Sequence, residues 1–431
     1  MRKALRQAAA PFGFAPEVLA AADAALSALG DAWQRRDAQA VSISAKVVHC
    51  FAQARLSEEH LAGSTGYGYH DPGRDAYEKL LAQLFGAEAA FVRLQFASGT
   101  HAIVLASHAL LGPEGRLASL TGAPYDTLQL ALVEPLNRAT AHSQGRYREA
   151  VWETGSMPDA YSVAGALRDQ PDVAFIQRSR GYAPRPSLSI AQIAELIGHV
   201  KETSPGSLII VDNCYGEFVE AREPCDVGAD LVVGSLIKNP GGGMAPGGAY
   251  VAGRAELVER IADALFAPGL GRKVGPTYGA MRALFAGLHR APKLVAESLK
   301  ILDFAAALFS QLGYEVDPAM GAHRTDIIQA IRLRSVEALA AFTEGLQACM
   351  PVNAHARPEP GSVPGYRDAV LMAMGSFISG STMELSCDAP LRRPYEVYLQ
   401  GGIDLAHGML ACMSAASRVF ALGRHSGTAR E

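Results

Sequence analysis

The sequence predicts an α/β protein with a mainly parallel sheet that helices cover on both faces, followed by a smaller α+β domain. Short apolar runs alternate with helical segments over about 200 residues, a pattern typical of parallel strands joined by crossover helices. The runs lie at 89–94, 116–120, 173–176, 207–211, 231–233 and 249–252. After residue 313 short strands and helices are mixed, which indicates a second domain.

Helices are predicted where apolar residues recur about every 3.6 positions. They cover 16–60, 74–86, 102–111, 190–202, 278–312, 336–350 and 395–419. The stretch 63–73 is dense in glycine and must be a loop. Two more strands are predicted at 327–333 and 369–374. We therefore expect an N-terminal helical arm at 1–60, a large domain at 61–300 and a small domain at 301–431.

The composition is that of an ordinary globular protein, with 49% hydrophobic and 19% charged residues. A net charge of −4 gives no reason to expect nucleic acid or an anionic membrane as a partner. No apolar run approaches the roughly 18 residues of a membrane span. The six cysteines are scattered without metal-binding spacing, so we expect reduced thiols, no metal site and a cytoplasmic location.

A single lysine, Lys238, follows the apolar run 231–233 and a Gly-Ser pair, and three glycines come soon after it. Open parallel sheets place their ligands where strands end. We expect burial to disfavour the charged form of Lys238 and lower its pKa, which would make the amine a nucleophile. A surface lysine in a glycine loop is an equal alternative on this segment alone. A nucleotide-binding loop is excluded, because the glycines follow the lysine and Asn239 stands where serine or threonine is needed.

Small polar residues at two places suit a phosphate group. Ser98, Gly99 and Thr100 stand just before a predicted helix, whose first N–H groups attract an anion. Alone this signal is weak, since Ser-Gly before a helix is more often only a cap. Ser235, three residues before Lys238, could donate its hydroxyl to the same phosphate.

An acid and an aromatic ring complete the pattern. Asp212 ends the strongly apolar run 207–211, and a buried carboxylate needs a cation such as a protonated pyridine; otherwise it caps a turn. Tyr125 follows a strand and could stack on a ring. A phosphate cradle, an acid for a pyridinium nitrogen, a stacking ring and a lysine are together the requirements of pyridoxal 5′-phosphate, PLP.

These motifs resemble the fold-type-I PLP-dependent enzymes and, within them, the methionine gamma-lyase-like branch named for aluminium resistance. The resemblance covers about residues 45 to 410, nearly the whole chain. It implies an aspartate-aminotransferase-like fold, with a seven-stranded, mainly parallel sheet and a smaller α+β C-terminal domain. The matching segments are GYGYHDPGRD at 66–75, VRLQ at 92–95, SGTHA at 98–102, TGAPYDT at 121–127, IQRSRGY at 176–182, VDNCYGEF at 211–218, GSLIKNPGGG at 234–243 and MELSCDAP at 383–390.

The resemblance implies that Lys238 forms a Schiff base with PLP and moves protons, while Asp212 binds the pyridine nitrogen and Tyr125 stacks on the ring. The phosphate would be held by Ser98, Gly99, Thr100 and Ser235. Cys214 is assigned to the cofactor site as well, although a small buried cysteine is the more common role.

In the wider family a tyrosine and an arginine from a neighbouring subunit reach the phosphate. Tyr67, Tyr69 and Arg74 occupy the comparable glycine-rich segment here. The resemblance therefore implies a homodimer or homotetramer with shared active sites.

The implied reaction is Cα deprotonation of an amino acid followed by β- or γ-elimination or replacement, such as cleavage of a carbon–sulfur bond by a lyase. Relatives bind the substrate carboxylate through an arginine in an Arg-Leu-Ser segment, and here that segment begins with Glu384. Arg178 and Arg180 are the best substitutes, followed by Arg392 and Arg393. An aminotransferase, racemase or cyclase stays an alternative, as does a PLP-fold binding protein without turnover.

Overall fold

The computed structural model describes residues 2–138, 145–152, 157–363 and 366–427. The chain divides into two compact units, residues 42–292 and residues 1–41 together with 293–431. The structure thus groups residues 1–41 with the C-terminal residues, whereas the sequence analysis expected an arm of its own at 1–60. The reason is local packing: the apolar face of helix α2 (Pro16–Ala28) lies against the C-terminal helix α13 (Leu405–Gly427).

The unit 42–292 is built on a seven-stranded sheet, as predicted. Its strands are β1 Ala89–Arg93, β2 Leu117–Ser119, β3 Tyr147–Glu149, β4 Val173–Gln177, β5 Leu208–Asp212, β6 Leu231–Ser235 and β7 Ala249–Gly253. Their order is β1-β7-β6-β5-β4-β2-β3. Only β7 runs antiparallel to its neighbours, so the other six strands all point the same way. Their carboxyl ends meet at one edge of the sheet.

Helices lie in the connections from β1 through β5, whereas the fully described connections from β5 to β6 and from β6 to β7 contain no α-helix. The remaining helices are α1 Arg2–Ala9, α3 Gly30–Gln53, α4 Pro72–Phe85, α5 Gly99–Leu110, α6 Asp126–Leu128, α7 Glu134–Arg138, α8 Ala160–Leu167, α9 Ile190–Thr203, α10 Ala255–Leu265, α11 Met281–Gln311 and α12 Val336–Gln347. Polar caps start several of them: the Ser98 hydroxyl accepts a hydrogen bond from the His101 N–H at the start of α5, and Ser189 forms a capping box with Gln192 at α9.

The core of this unit is apolar because the inner strands of the sheet are covered on both faces. Phe91, Phe175, Ile210, Val233 and Val251 come from five different strands and are all fully buried. The register matters for the site, because Asp212 at the end of β5 lies opposite Gln177 of β4 and Val233 of β6.

The other unit contains a five-stranded antiparallel sheet in the order β10-β11-β12-β9-β8. The strands are β8 Glu315–Asp317, β9 Ile328–Arg332, β10 Val370–Met374, β11 Ser386–Pro390 and β12 Glu396–Gln400. The predicted helix at 395–419 is therefore wrong over its first part, where β12 pairs with β9 and β11. Alternating side chains in Glu-Val-Tyr-Leu-Gln allow an extended strand, and the helix begins only at Leu405.

Helix α13 carries a segment, Leu405–Gly423, that is long and apolar enough by composition to cross a membrane. Inside its unit this helix packs against α12, and Met409, Cys412 and Ala416 on it are buried. Such burial is what a core helix of a globular domain requires.

Candidate active site

The predicted site residues converge at the edge where the parallel strands end. Asp212 is the last residue of β5, Ser235 the last of β6, and Gly99 begins the helix after β1. Lys238 lies in the segment between β6 and β7. Because these ends share one edge, residues far apart in sequence meet in space.

Lys238 is only partly buried and points at an aromatic ring. Its Nζ lies 3.5 Å from the centroid of the Tyr215 ring. Burial lowers the pKa of this amine, but Tyr215, Cys214 and Asp212 raise it, and the net direction is upward. The expected lowering of the Lys238 pKa is therefore wrong for the chain by itself, because its neighbours stabilise the ammonium more than burial disfavours it.

Asp212 is buried at the end of β5. Its Oδ1 accepts a hydrogen bond from the Cys214 N–H at 3.1 Å. Burial raises the pKa of this carboxyl group, although Cys214, Lys238 and Arg185 act in the opposite sense. A buried carboxylate whose ionised form is disfavoured gains from a further cation, so this position fits a protonated ring nitrogen.

Gly99 marks the place where three segments come closest. A Cβ atom at Gly99 would lie 3.2 Å from the Cβ of Ser235 and 3.6 Å from the Sγ of Cys214. The N-terminus of α5 therefore faces Ser235 directly, as a phosphate held by both would need. Ser98 itself accepts from the His101 N–H, so its hydroxyl already serves as a helix cap.

Tyr125 is tied to the same region by two hydrogen bonds. Its hydroxyl lies 2.8 Å from Thr100 Oγ1, and its N–H donates to Gln177 Oε1 at 3.2 Å. These contacts fix both ends of the residue between the start of α5 and the end of β4. These residues fit PLP because they provide a narrow cradle at Gly99 and Ser235, a buried acid at Asp212 and a fixed aromatic ring at Tyr125.

Arg178 is not available for a substrate in this structure. Its side chain has no exposed surface. Its two terminal nitrogens donate to Asn213 Oδ1 at 2.8 Å and to Glu220 Oε2 at 2.9 Å, and Glu223 lies 3.6 Å away. These contacts give Arg178 a structural role beneath the turn after Asp212, in place of the predicted substrate contact.

Two other arginines follow β4. Arg180 is buried, with its Nε 3.4 Å from the Ala183 carbonyl oxygen. Arg185, which the sequence analysis did not single out, donates to the carbonyl oxygens of Gln177 and Ser179 at 3.0 and 2.9 Å. Arg185 also lowers the pKa of Asp212 by its charge. Of the two predicted arginines, only Arg180 keeps its place as a candidate for the substrate carboxylate.

Glu384 stabilises a turn in the C-terminal unit. Its two carboxylate oxygens accept hydrogen bonds from the N–H groups of Phe377 and Ile378, at 3.0 and 3.2 Å. The acid thereby fixes a turn. In the same unit Arg392 lies 3.4 Å from Asp368.

Tyr67 and Tyr69 stand on an exposed loop, with 76% and 51% of their surface accessible and their rings 5.7 Å apart. Arg74 differs from them. It is buried, and its guanidinium donates to the carbonyl oxygens of Gly68 and Gly275 at 2.7 and 3.1 Å. Arg74 thus holds the tyrosine loop to the loop around Gly275, a structural contact that leaves its predicted phosphate contact without support.

Sequence reasoning missed three residues next to the lysine. They are Tyr215, Glu217 and Asn239. The Asn239 Nδ2 donates to the carbonyl oxygens of Tyr215 and Glu217, at 3.1 and 2.8 Å. The buried Glu217 carboxyl group accepts from Tyr250 Oη at 2.7 Å. The only signal in the sequence was position: Tyr215 and Glu217 directly follow the predicted acid, and Asn239 directly follows the lysine.

The fold and the site together define a member of the fold-type-I class of PLP-dependent proteins. A cystathionine gamma synthase from Xanthomonas oryzae pv. oryzae shares this fold at 20% identity, with a TM-score of 0.58 over 89% of this chain and 98% of its own. The profile of the methionine gamma-lyase family matches residues 18–420. The chain therefore belongs to the methionine gamma-lyase family.

More similar proteins support the same placement. A carbon–sulfur lyase involved in aluminium resistance from Clostridium novyi NT is 35% identical, with a TM-score of 0.89 over 96% of this chain and 98% of its own. A Listeria monocytogenes protein, whose name proposes a cystathionine beta-lyase involved in aluminium resistance, is 40% identical, with a TM-score of 0.87 over 93% and 99%. The uncharacterised protein YnbB of Bacillus subtilis is 43% identical over 86% of this chain and 89% of its own.

Proposed function

We propose that this protein is a PLP-dependent lyase that cleaves a carbon–sulfur bond of an amino acid. The observation that carries the proposal is the meeting of Lys238, Asp212 and the Gly99–Ser235 contact at one edge of a fold-type-I sheet. The names of the similar structures support the reaction class, because they describe carbon–sulfur and cystathionine lyases. Cystathionine is the substrate suggested by one of these names, and methionine is suggested by the name of the family.

When bound, PLP supplies a sink for the electron pair that remains after a proton leaves Cα. Lys238 takes that proton as a general base, which requires its neutral amine. Asp212 would pair with the protonated ring nitrogen of the bound cofactor, and Tyr125, which Thr100 and Gln177 hold in place, would contact its ring. The first turn of α5 and Ser235 would hold its phosphate by hydrogen bonds.

The first experiment tests the cofactor and its lysine. Protein incubated with PLP should show a visible absorbance band that borohydride abolishes, and a peptide containing Lys238 should carry the reduced adduct in mass spectrometry. Lys238→Ala should remove both, while Lys201→Ala, which changes an exposed lysine of the same unit, should keep both. A borohydride-sensitive band in Lys238→Ala protein would refute the assignment of the lysine.

The second experiment tests the reaction. A β-lyase releases pyruvate, ammonia and homocysteine from cystathionine, whereas a γ-lyase releases 2-oxobutanoate, ammonia and methanethiol from methionine. Either product set supports the proposal and decides between the two substrates. Accumulation of pyridoxamine phosphate with a keto acid and no free thiol would instead identify an aminotransferase.

We further propose that two copies of the chain share each active site. The exposed and adjacent rings of Tyr67 and Tyr69 support this, because large aromatic side chains on a well-held loop are typical of protein contacts. Mixing Lys238→Ala subunits with Tyr67→Ala/Tyr69→Ala subunits should restore activity that each lacks alone, since one site in the hybrid is intact. Full activity of the tyrosine variant, or a monomer in sedimentation, would contradict the sharing.

A further inference from the structure

The aromatic ring of Tyr215 contacts the amine of Lys238, and Schiff-base formation and proton transfer by the lysine do not by themselves require this contact. The Nζ of Lys238 lies 3.5 Å from the ring centroid, which is within the range of an ammonium–aromatic interaction. Both side chains are half-buried, so water competes less for the ammonium than at an exposed site. The negative face of an aromatic ring attracts a cation and offers little to a neutral amine.

The turn that carries Tyr215 is shaped for this contact. Tyr215 has a φ of 71°, in the left-handed region that side chains rarely adopt, and such a conformation persists only where surrounding contacts fix it. One contact at this turn comes from Asn239, the residue after the lysine. Its amide donates to the carbonyl oxygens of Tyr215 and Glu217. Lys238 therefore contacts the ring of Tyr215, while Asn239 binds the backbone of the same turn.

We propose that Tyr215 is a positioning residue for Lys238, whose ring face holds the protonated ε-amino group at the site before the cofactor aldehyde arrives. Asn239 keeps the ring in that place. The inference deepens the function proposed above and rests on it for the role of the lysine. Tyr215 makes and breaks no bond in this state; it stabilises the cation and orients the nitrogen. The Tyr215 hydroxyl acts in the same direction, because its electrostatics and a side-chain hydrogen bond also raise the pKa of Lys238.

The test uses protein free of cofactor and reads the ionisation of one lysine. Competitive acylation with a small anhydride, followed by mass spectrometry of the peptide containing Lys238, gives its labelling rate at each pH. Tyr215→Leu removes the ring and carries the same backbone strain, whereas Tyr215→Phe keeps the ring and removes only the hydroxyl. Exposed lysines such as Lys201 serve as internal references.

We expect Tyr215→Leu to lower the pKa of Lys238 by about one unit, a tenfold change in the protonation equilibrium. The pH midpoint of labelling should fall, and the rate well below the midpoint should rise about tenfold. The sign follows because removal of the ring destabilises only the charged form. Tyr215→Phe should lower the midpoint by less than Tyr215→Leu does, because it keeps the ring and loses only the hydroxyl contribution. A change in access alone would alter the plateau of the labelling curve and leave its midpoint in place.

The inference is overturned if the midpoint is the same in Tyr215→Leu and the wild type, or if Tyr215→Phe shifts it as far as Leu does. A second measurement needs no variant at residue 215. In protein labelled with ¹³C at lysine Cε, the Lys238 signal, assigned by its loss in Lys238→Ala, should be displaced upfield by the ring of Tyr215. A signal among those of exposed lysines would show that the contact does not form. Neither result depends on PLP, so failure here leaves the lyase proposal standing.

Discussion

Replacement of Arg178 by methionine should destabilise the protein strongly, although the sequence alone suggested a substrate contact. The substitution keeps much of the side-chain volume but removes the charge from a site without solvent. It would leave Glu223 buried without its cation, and Asn213 without its donor. Burial already raises the pKa of Glu223, and Arg178 is the strongest influence in the opposite sense.

The expected magnitude follows from this arrangement. Removal of one partner from a buried ion pair costs about 3–5 kcal/mol, a large share of the roughly 5–15 kcal/mol that stabilises a folded domain. Denaturation by urea, followed by circular dichroism, should therefore show a much lower midpoint for Arg178→Met. Addition of Glu223→Gln should recover part of the loss, because the buried charge disappears with its partner.

A matched control is Arg180→Met, which changes the neighbouring buried arginine and leaves the contacts of Asn213 with Arg178 intact. The structural interpretation fails if Arg178→Met unfolds at the wild-type urea concentration while the KM for an amino-acid substrate rises steeply. That result would return Arg178 to the role of substrate arginine.

Two further substitutions test buried acids. Burial raises the pKa of Glu217 to about 8, so the folded state retains a proton that the unfolded state loses near pH 4.5. Between these two pH values the free energy of unfolding of the wild type should therefore fall by about 1.4 kcal/mol per pH unit relative to that of Glu217→Gln. Parallel urea titrations from pH 5 to 8 measure this slope, and equal slopes for the two proteins would contradict it. Glu384→Arg, which restores the residue type of related lyases, should lower the free energy of unfolding by about 1.5–3 kcal/mol, because the N–H groups of Phe377 and Ile378 lose a charged acceptor. An unchanged melting temperature with a lower substrate KM would show instead that position 384 faces the substrate.

Much of the fold could be predicted because its parallel strands are buried on both faces and appear as short apolar runs. Strand β3 escaped prediction for the opposite reason: Tyr147 and Arg148 are only partly buried and Glu149 is exposed, so the segment carries no such run. The ends of the runs also predicted where Asp212 and Lys238 meet. Cytoplasmic location and the lack of nucleic-acid or membrane partners stay predictions.

Side-chain environments were harder to predict than positions. The upward shift of the Lys238 pKa depends on Tyr215, Cys214 and Asp212, and the ring of Tyr215 belongs to a residue with a positive φ. The spacing of apolar residues in a sequence does not reveal a single residue with a left-handed backbone conformation. Arg178 and Arg180 likewise differ by only two positions in sequence, yet Asn213 and Glu220 surround the first. Such partners come from distant segments and become visible only in three dimensions.

The one reversed strand has a consequence for how the site is assembled. Because β7 returns antiparallel to β6, Lys238 lies in a connection closed by a hydrogen bond from the Leu236 N–H to the Gly248 carbonyl oxygen, 3.0 Å apart. The two ends of the lysine segment are therefore set by the pairing of β6 with β7, whereas Asp212 is set by the pairing of β6 with β5 on its other side. A slip of the β5–β6 register by one residue would turn the Asp212 side chain to the other face of the sheet and leave the lysine in place, so the meeting of acid and amine depends on both registers.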